Sequence, residues 1–239
     1  MGLDCSHWQS KPDWTKAKTA GVRFVIVKAG ETLVRKPGAP LYFDDKHDRN
    51  IAALKAVGIS CGSYYYFHPS AGASKQANHW ASIWKKNPPD LPPFIDIEDT
   101  DGYLPNDVCK QLFAFIDAVE DKIGITPIVY STNSFLVSKV GNPNWKPETK
   151  FWIARYNTSI KDLSVKIKDN VIMWQFTDRL KLPGLPVMDG NYWIRSESEF
   201  NQFTKVPPVG HDPIEIARIK LGILPFRRNI ERIIDNIKG

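Results

Sequence analysis

The sequence is poor in cysteine: Cys5, Cys61 and Cys109 are its three, an odd number, widely spaced and with no C-x-x-C pair among them. That excludes a disulfide framework and a cysteine-ligated zinc site, and leaves the three as small buried hydrophobes. Cys5 stands close to His7, but neighbours on one strand do not make the oriented nucleophile, base and third group that thiol catalysis requires. Apolar runs are short as well, none approaching the ~18 residues of a membrane span, so no transmembrane segment is expected. The start, Met1-Gly2-Leu3-Asp4, has neither the basic nor the apolar region of a secretion leader, so no signal peptide is expected in this chain. A glycine-rich nucleotide loop is also missing, and with it the case for a nucleotide cofactor. The charge is basic, +6 with a pI near 9.1, yet no Lys/Arg run is dense enough to argue for nucleic acid. Such a balance fits a solvated basic surface or an anionic polymer as partner.

What is present is an ordinary globular composition, 42% apolar and 24% charged over 239 residues, enough for one barrel or two smaller domains. Eight Trp, eight Tyr and twelve Phe exceed what packing plainly demands, and aromatic faces along a cleft suit the flat apolar faces of sugars.

The stretch that carries chemistry is Pro92-Pro93-Phe94-Ile95-Asp96-Ile97-Glu98-Asp99, an apolar strand ending in acid. Side chains two apart share a strand face, with Cα atoms roughly 6.5 Å apart, so Asp96 and Glu98 arrive side by side. Burying carboxylates without partners costs several kcal/mol. Two in one cleft have their pKa values pushed apart, giving one protonated acid and one anion, the division of labour that glycosidic hydrolysis requires. The alternative is a strand end whose carboxylates cap the next helix or hold a cation, since ionic networks also perturb pKa values.

Along the chain, strands are predicted at Leu3–Trp8 with Asp4 at its middle, Val22–Val27, Ile59–Phe67, the acidic stretch, Pro127–Ser131, Lys150–Tyr156, Val171–Phe176 and Pro186–Trp193. Helices are predicted at Asp13–Ala20, from about Asp45 to Gly58, at Ser74–Lys86, from Pro105 to Gly124 and at Asn133–Val140, by apolar spacing, proline starts and glycine stops. Five helices between eight strands predict an α/β fold, a (β/α) barrel of TIM type whose last three strands are joined by little helix; a doubly wound open sheet is the alternative. Closure is favoured because Glu31, Glu98, Arg155, Gln175 and Asp189 fall at or near the last residues of separate strands, ends that converge on one face of a barrel. Tyr64, Tyr66, Tyr130, Trp152 and Trp174 are candidate sugar platforms, with Tyr64 and Tyr66 on one strand face. Residues 1–203 are read as the barrel, 204–211 as a linker and 212–239 as an amphipathic helical tail. The tail stripe Phe226, Ile230, Ile233 and Ile237 must be covered, by the barrel, a partner chain, a membrane or a wall.

Six segments in order resemble the glycoside hydrolase family 25 lysozymes, or Chalaropsis-type muramidases. They are Gly2-Leu3-Asp4-Cys5-Ser6-His7-Trp8-Gln9, Phe24 to Glu31, Pro93 to Glu98, Trp152-Ile153-Ala154-Arg155-Tyr156, Met173-Trp174-Gln175-Phe176 and Val187-Met188-Asp189-Gly190-Asn191-Tyr192. The resemblance covers roughly residues 2 to 203. It implies a barrel with five helices and three final strands of antiparallel or irregular course. It also implies cleavage, with retention, of the β-1,4 bond between N-acetylmuramic acid and N-acetylglucosamine in bacterial peptidoglycan, without cofactor or metal. By the same resemblance Glu98 is the general acid and later base, Asp96 the anion that steadies the reacting centre or the substrate's acetamido group, and Asp4 and Asp189 complete an acidic pocket. Glu31, Arg155, Gln175 and Asn191 join the rings as substrate contacts. Cys5 stands where the family has a small apolar residue. A leaderless muramidase would act outside the cell that made it, released by phage lysis or carried in a virion, unless a leader has already been removed. A barrel that grips wall glycan without cutting it, as a structural component of an assembly, is the alternative.

Overall fold

A computed structural model describes residues 1–33, 38–156, 160, 163 and 168–204 of the chain. The expected linker beyond Thr204 and the tail 212–239 lie outside the described residues. The strands are β1 (Gly2–Cys5), β2 (Phe24–Thr32), β3 (Leu41–Phe43), β4 (Ser60–Tyr66), β5 (Pro93–Asp96), β6 (Ile128–Thr132), β7 (Phe151–Ala154), β8 (Val171–Leu180) and β9 (Met188–Trp193). The helices are α1 (Trp14–Thr19), α2 (His47–Val57), α3 (Ala73–Lys86), α4 (Pro105–Ile123), α5 (Asn133–Ser138) and α6 (Glu197–Phe203).

Eight of the strands close in the order β1-β2-β4-β5-β6-β7-β8-β9, and β9 pairs back onto β1. Pairing is parallel from β1 through to β8; only β9 runs against its neighbours β8 and β1. Of the three final strands expected to be antiparallel or irregular, one, β9, is antiparallel, and the β7–β8 and β8–β9 pairings are irregular in register. Strand β9 returns directly because β8 and β9 are joined by a short loop with no crossover helix, and a parallel neighbour needs a crossover. Two elements were not expected. Short β3 pairs antiparallel with the end of β2 through Gly30 and Phe43, outside the barrel. Helix α6 opens on a capping box, Ser196 and Glu199 bonding each other's backbone N–H, which satisfies donors a helix start leaves unpaired.

The period of two along each strand sorts the core. Leu3, Cys5, Val25, Val27 and Cys61 face outward and pack with Trp14, Ala17, Ile51 and Leu54 of α1 and α2. Phe24, Ile26, Phe94, Ile128, Tyr130, Trp152 and Met173 face inward. Gly62 keeps this interior passable: a Cβ there would stand 2.9 Å from the Phe94 ring. The amino-terminal mouth is stoppered by α6, whose Phe200 meets Phe24 and Trp193 with ring centroids 5.7 and 5.4 Å apart. Arg23 lies over the Phe200 ring and forks onto Glu197.

Helix α4 is the best marked in the sequence and forms as expected, with Pro105 at its first turn and left-handed Gly124 ending it. Its buried stripe of Val108, Leu112, Phe115, Ile116 and Val119 meets α3 through Phe115, stacked near Trp80. Helix α1 is capped by the Asp13 side chain, which accepts from Lys16 N–H. Cys5 and Cys61 are buried, Cys109 half-buried, and all are unpaired.

Candidate active site

At the carboxyl ends of the strands the barrel opens into a cavity of about 310 Å³ lined by Asp4, Asp96, Glu98, Asp189, Lys28, Tyr64, Tyr66, Tyr130, Trp152 and Gln175 among others. Asp96 is the last residue of β5, in register with Tyr66 on one side and Tyr130 on the other. It is 8% exposed, and its Oδ1 is buried with no hydrogen-bond partner among the described residues. Glu98 follows on the same face, exposed at the mouth, where Tyr130 hydrogen-bonds its carboxyl. The peptide between them is pinned, Ile97 N–H donating to Tyr130 O and its carbonyl accepting from Ser131 Oγ at 2.6 Å.

Asp4 and Asp189 are directly opposite across the antiparallel β1–β9 pair. Asp4 Oδ2 accepts from Gln175 Nε2 at 2.9 Å and Asn191 Nδ2 at 2.7 Å. Burial raises Asp4, and the two amide donors oppose this because they favour its ionised form, so that of the pair Asp189 is the one on which the shared proton is favoured. Burial, the charge of Asp4 and the hydrogen bond between them push Asp189 up to about 8. Asp189 lies near the first residue of its strand rather than the last, yet reaches the same mouth because β9 runs backwards.

Burial pushes Asp96 well above the usual carboxylate range, and the Glu98 charge adds to this. Glu98 is raised too, by partial desolvation and by Asp4, against the Tyr130 hydrogen bond and the Lys28 ammonium. Both members of the pair therefore hold protons more tightly than free carboxyls. The expected assignment of Asp96 as the anion is not what burial alone favours; Lys28 is the cation that opposes it.

Tyr64, Tyr66, Tyr130, Trp152 and Gln175 line the cavity as expected. The Tyr156 hydroxyl donates to Gln175 Oε1 at 2.7 Å, and the Tyr130 hydroxyl, 2.8 Å from the same oxygen, shares its one proton between it and Glu98, which fixes the amide for its bond to Asp4. Four expected contacts do not line the cavity. Asn191 is fully buried behind it, donating to Asp4 and accepting from Trp152 Nε1 at 2.8 Å. Trp174 is out of phase with inward Met173 and Gln175: it packs against Phe176 and Tyr192, and its indole donates to Arg155 O. Arg155 shares the phase of Ile153 rather than of Trp152 and Tyr156. Glu31 is absent from that lining; it follows the irregularity between Lys28 and Gly30 and binds Lys28 Nζ at 2.6 Å.

Missed by the sequence reading were Lys28, Tyr156, Trp8 and Asp178, all of which line the cavity. Period two from Phe24 and Ile26 would have placed Lys28 inside, and from Trp152 and Ala154 would have placed Tyr156. Trp8 sits on the turn after β1, 80% exposed, its ring tilted against that of His7 with centroids 4.7 Å apart; the His7 backbone and ring bind Asp44. Among the described residues no three His, Cys, Asp or Glu side chains are placed to hold a metal ion.

A closed barrel with a carboxyl pair at one strand end and a second pair beside it is the arrangement of a barrel glycoside hydrolase. The sequence profile of the glycosyl hydrolases family 25 matches residues 3–185, and the chain belongs to that family. It is 28% identical over 193 residues to Escherichia coli K12 YegX, covering 77% of this chain and 65% of that protein. It is 27% identical over 170 residues to lysozyme M1 of Streptomyces globisporus, 66% of this chain and 55% of that one. The chain thus spans less than two thirds of the length of these relatives. Its fold is similar to a muramidase of Acremonium alcalophilum, with a TM-score of 0.74, 24% identity and coverage of 86% and 99%. It is likewise similar to a bacterial lysozyme of Streptomyces coelicolor, with a TM-score of 0.73, 22% identity and coverage of 85% and 96%.

Proposed function

We propose that this chain is an N-acetylmuramidase, a lysozyme that hydrolyses the β-1,4 bond between N-acetylmuramic acid and N-acetylglucosamine in bacterial peptidoglycan with retention. The observation that carries the reading is the Asp96–Glu98 pair at the open mouth, with a buried Asp96 oxygen left unpartnered. An unsatisfied buried acceptor costs about 1–3 kcal/mol, a cost that a substrate N–H or O–H donor removes. Glu98, at the mouth and holding its proton, protonates the glycosidic oxygen as the C1–O bond breaks. Asp96 steadies the positive charge that develops, or the acetamido group that attacks C1 from the other face. Glu98 then takes a proton from the water that attacks C1, and the retained sugar is released. Asp4 and Asp189 keep the pocket acidic; Tyr64, Tyr66 and Trp152 offer ring faces, and Gln175 a polar contact. Residues 1–203 are assigned the catalytic part, and 212–239 an appendage to it.

The polymer lies outside the cytoplasm, so the protein acts on the wall after release or export; among the described residues no helix is long and apolar enough to cross a membrane. Turbidity of purified walls tests the proposal, wild type beside Glu98→Gln, with mass spectrometry of the fragments. Clearing by wild type alone, with muramic acid at the new reducing ends, is expected. Clearing by both proteins removes Glu98 from the acid role, and clearing by neither removes the activity.

A further inference from the structure

His68 is buried, 4% exposed, and plays no part in the chemistry above. It follows β4, and each ring nitrogen faces a carboxylate: Nδ1 is 2.9 Å from Asp101 Oδ1, and Nε2 is 3.8 Å from Glu31 Oε2. A neutral imidazole has one N–H and could serve only one of them; a ring between two carboxylates is satisfied as the imidazolium. Tyr66 packs on the ring face, with centroids 5.0 Å apart. Helix α3 contributes neutral Gln76, which clamps the backbone N–H and C=O of His68. Burial opposes the charge, but the Glu31 carboxylate and the hydrogen bond to Asp101 outweigh it and hold the imidazole above its usual range.

Each arm of this bridge leads to the acid pair. Asp101 lies three residues past Glu98 in the β5–α4 loop, at a φ of 50°, a left-handed conformation that a non-glycine residue keeps only when its surroundings hold it. His68 is one such hold; Ser70 N–H and Oγ–H on Asp101 Oδ2, at 3.0 and 2.9 Å, and Asp99 Oδ1, which accepts from Asp101 N–H at 2.8 Å, add to it. On the other side, Glu31 Oε1 binds Lys28 Nζ, and Lys28 lines the same cavity as Asp96. We propose that His68 is a positioning residue for the acid pair: its imidazolium fixes through Asp101 the loop that carries Glu98, and through Glu31 the ammonium of Lys28 beside Asp96. The role assigned to the pair rests on the muramidase reading; the bridge itself does not.

The test has an arm independent of turnover. In ¹⁵N spectra of the wild-type protein at neutral pH, the resonances lost in His68→Gln are expected to show both ring nitrogens protonated. In ¹³C carboxyl titrations, Asp96 and Glu98 are expected to titrate at least about half a pH unit higher in His68→Gln, because a cation is lost and Glu31 is left to draw Lys28 away. On walls, kcat should fall between about tenfold and a hundredfold with KM little changed, as for a misplaced catalytic group. Adding Glu31→Gln to His68→Gln should cost less than the two changes cost separately. A neutral imidazole, or superimposed carboxyl titrations, would overturn the proposal. A wild type that does not cut walls but shows the titration shift would sink the muramidase reading and leave the bridge standing. Should His68→Gln not fold, Asp101→Asn keeps the ring, removes one charge and is read by the same titrations.

Discussion

The strands that bring Phe24, Phe94 and Ile128 to one part of the barrel bring Lys28, Asp96 and Tyr130 to its opposite mouth. At the amino-terminal end the rings of α6 fill the opening, and Arg23 with Glu197 forms an exposed fork over it. At the carboxyl end five carboxyls line one cavity and one buried oxygen has no partner among the described residues. The first end gains apolar burial and so contributes stability. The second holds groups whose charged forms burial opposes, and so costs it. What differs is the order of residue types along each strand, apolar inward positions first and polar ones last, so one barrel carries a firm base and a strained, reactive mouth.

The largest break in that contrast is Glu98→Gln. On the proposed reading it lowers kcat on walls by about a thousandfold, within the range for loss of a general acid. Because Glu98 is exposed, the melting temperature should hardly move; a large drop in melting temperature would mean that the mouth is structural. Next is Phe200→Ala, at the other end. It should cost about 3 kcal/mol by urea unfolding, as for a buried ring, with kcat of the remaining folded protein unchanged. If kcat falls with it, the two ends are not independent.

Asp189→Asn sharpens the comparison through pH. The folded carboxyl titrates near 8, against 3.8 for the free group. Between these values the folded protein binds a proton that the unfolded chain does not, so wild-type stability is lost as pH rises through about 8. The asparagine variant has no such proton to lose. Calorimetry should find it melting higher than wild type at about pH 9, by about 5 °C, and level with it near pH 4. A variant less stable at high pH would show that the carboxylate is well paired rather than strained. The smallest effect is expected from Trp8→Ala. It should raise KM several-fold with kcat unchanged, the signature of a contact made equally in ground and transition states; unchanged KM would make Trp8 a rim residue only.

Much of this was legible locally. The spacing of Val108, Leu112 and Phe115 marked α4, and the alternation ending at Glu98 placed the acid pair on one face. The period of two that put Tyr64 and Tyr66 together also placed Lys28 and Tyr156 inside, though that signal went unread for both. It also turned Trp174 outward, out of phase with Gln175, and that signal went unread too; the irregularity that precedes Glu31 left no mark in the alternation. Strand β3 was illegible because Leu41–Phe43 is too short to show alternation and exists by pairing with β2. The α6 signal was present, a Ser196-x-x-Glu199 capping box, but nothing local said that its rings would stopper a barrel.

The sequence by itself determined the eight barrel strands and five of the helices, the side chains that share a face of each, the acid pair and the family to which its six segments belong. Only the tertiary structure decided that β9 returns antiparallel and closes on β1, setting Asp189 opposite Asp4 and bringing Asn191 to it across 187 residues. It alone decided that His68 bridges Asp101 and Glu31. The physical reason is one of range: backbone geometry and solvent exposure fix neighbours a few residues apart, whereas contacts between distant segments exist only once packing has closed the sheet.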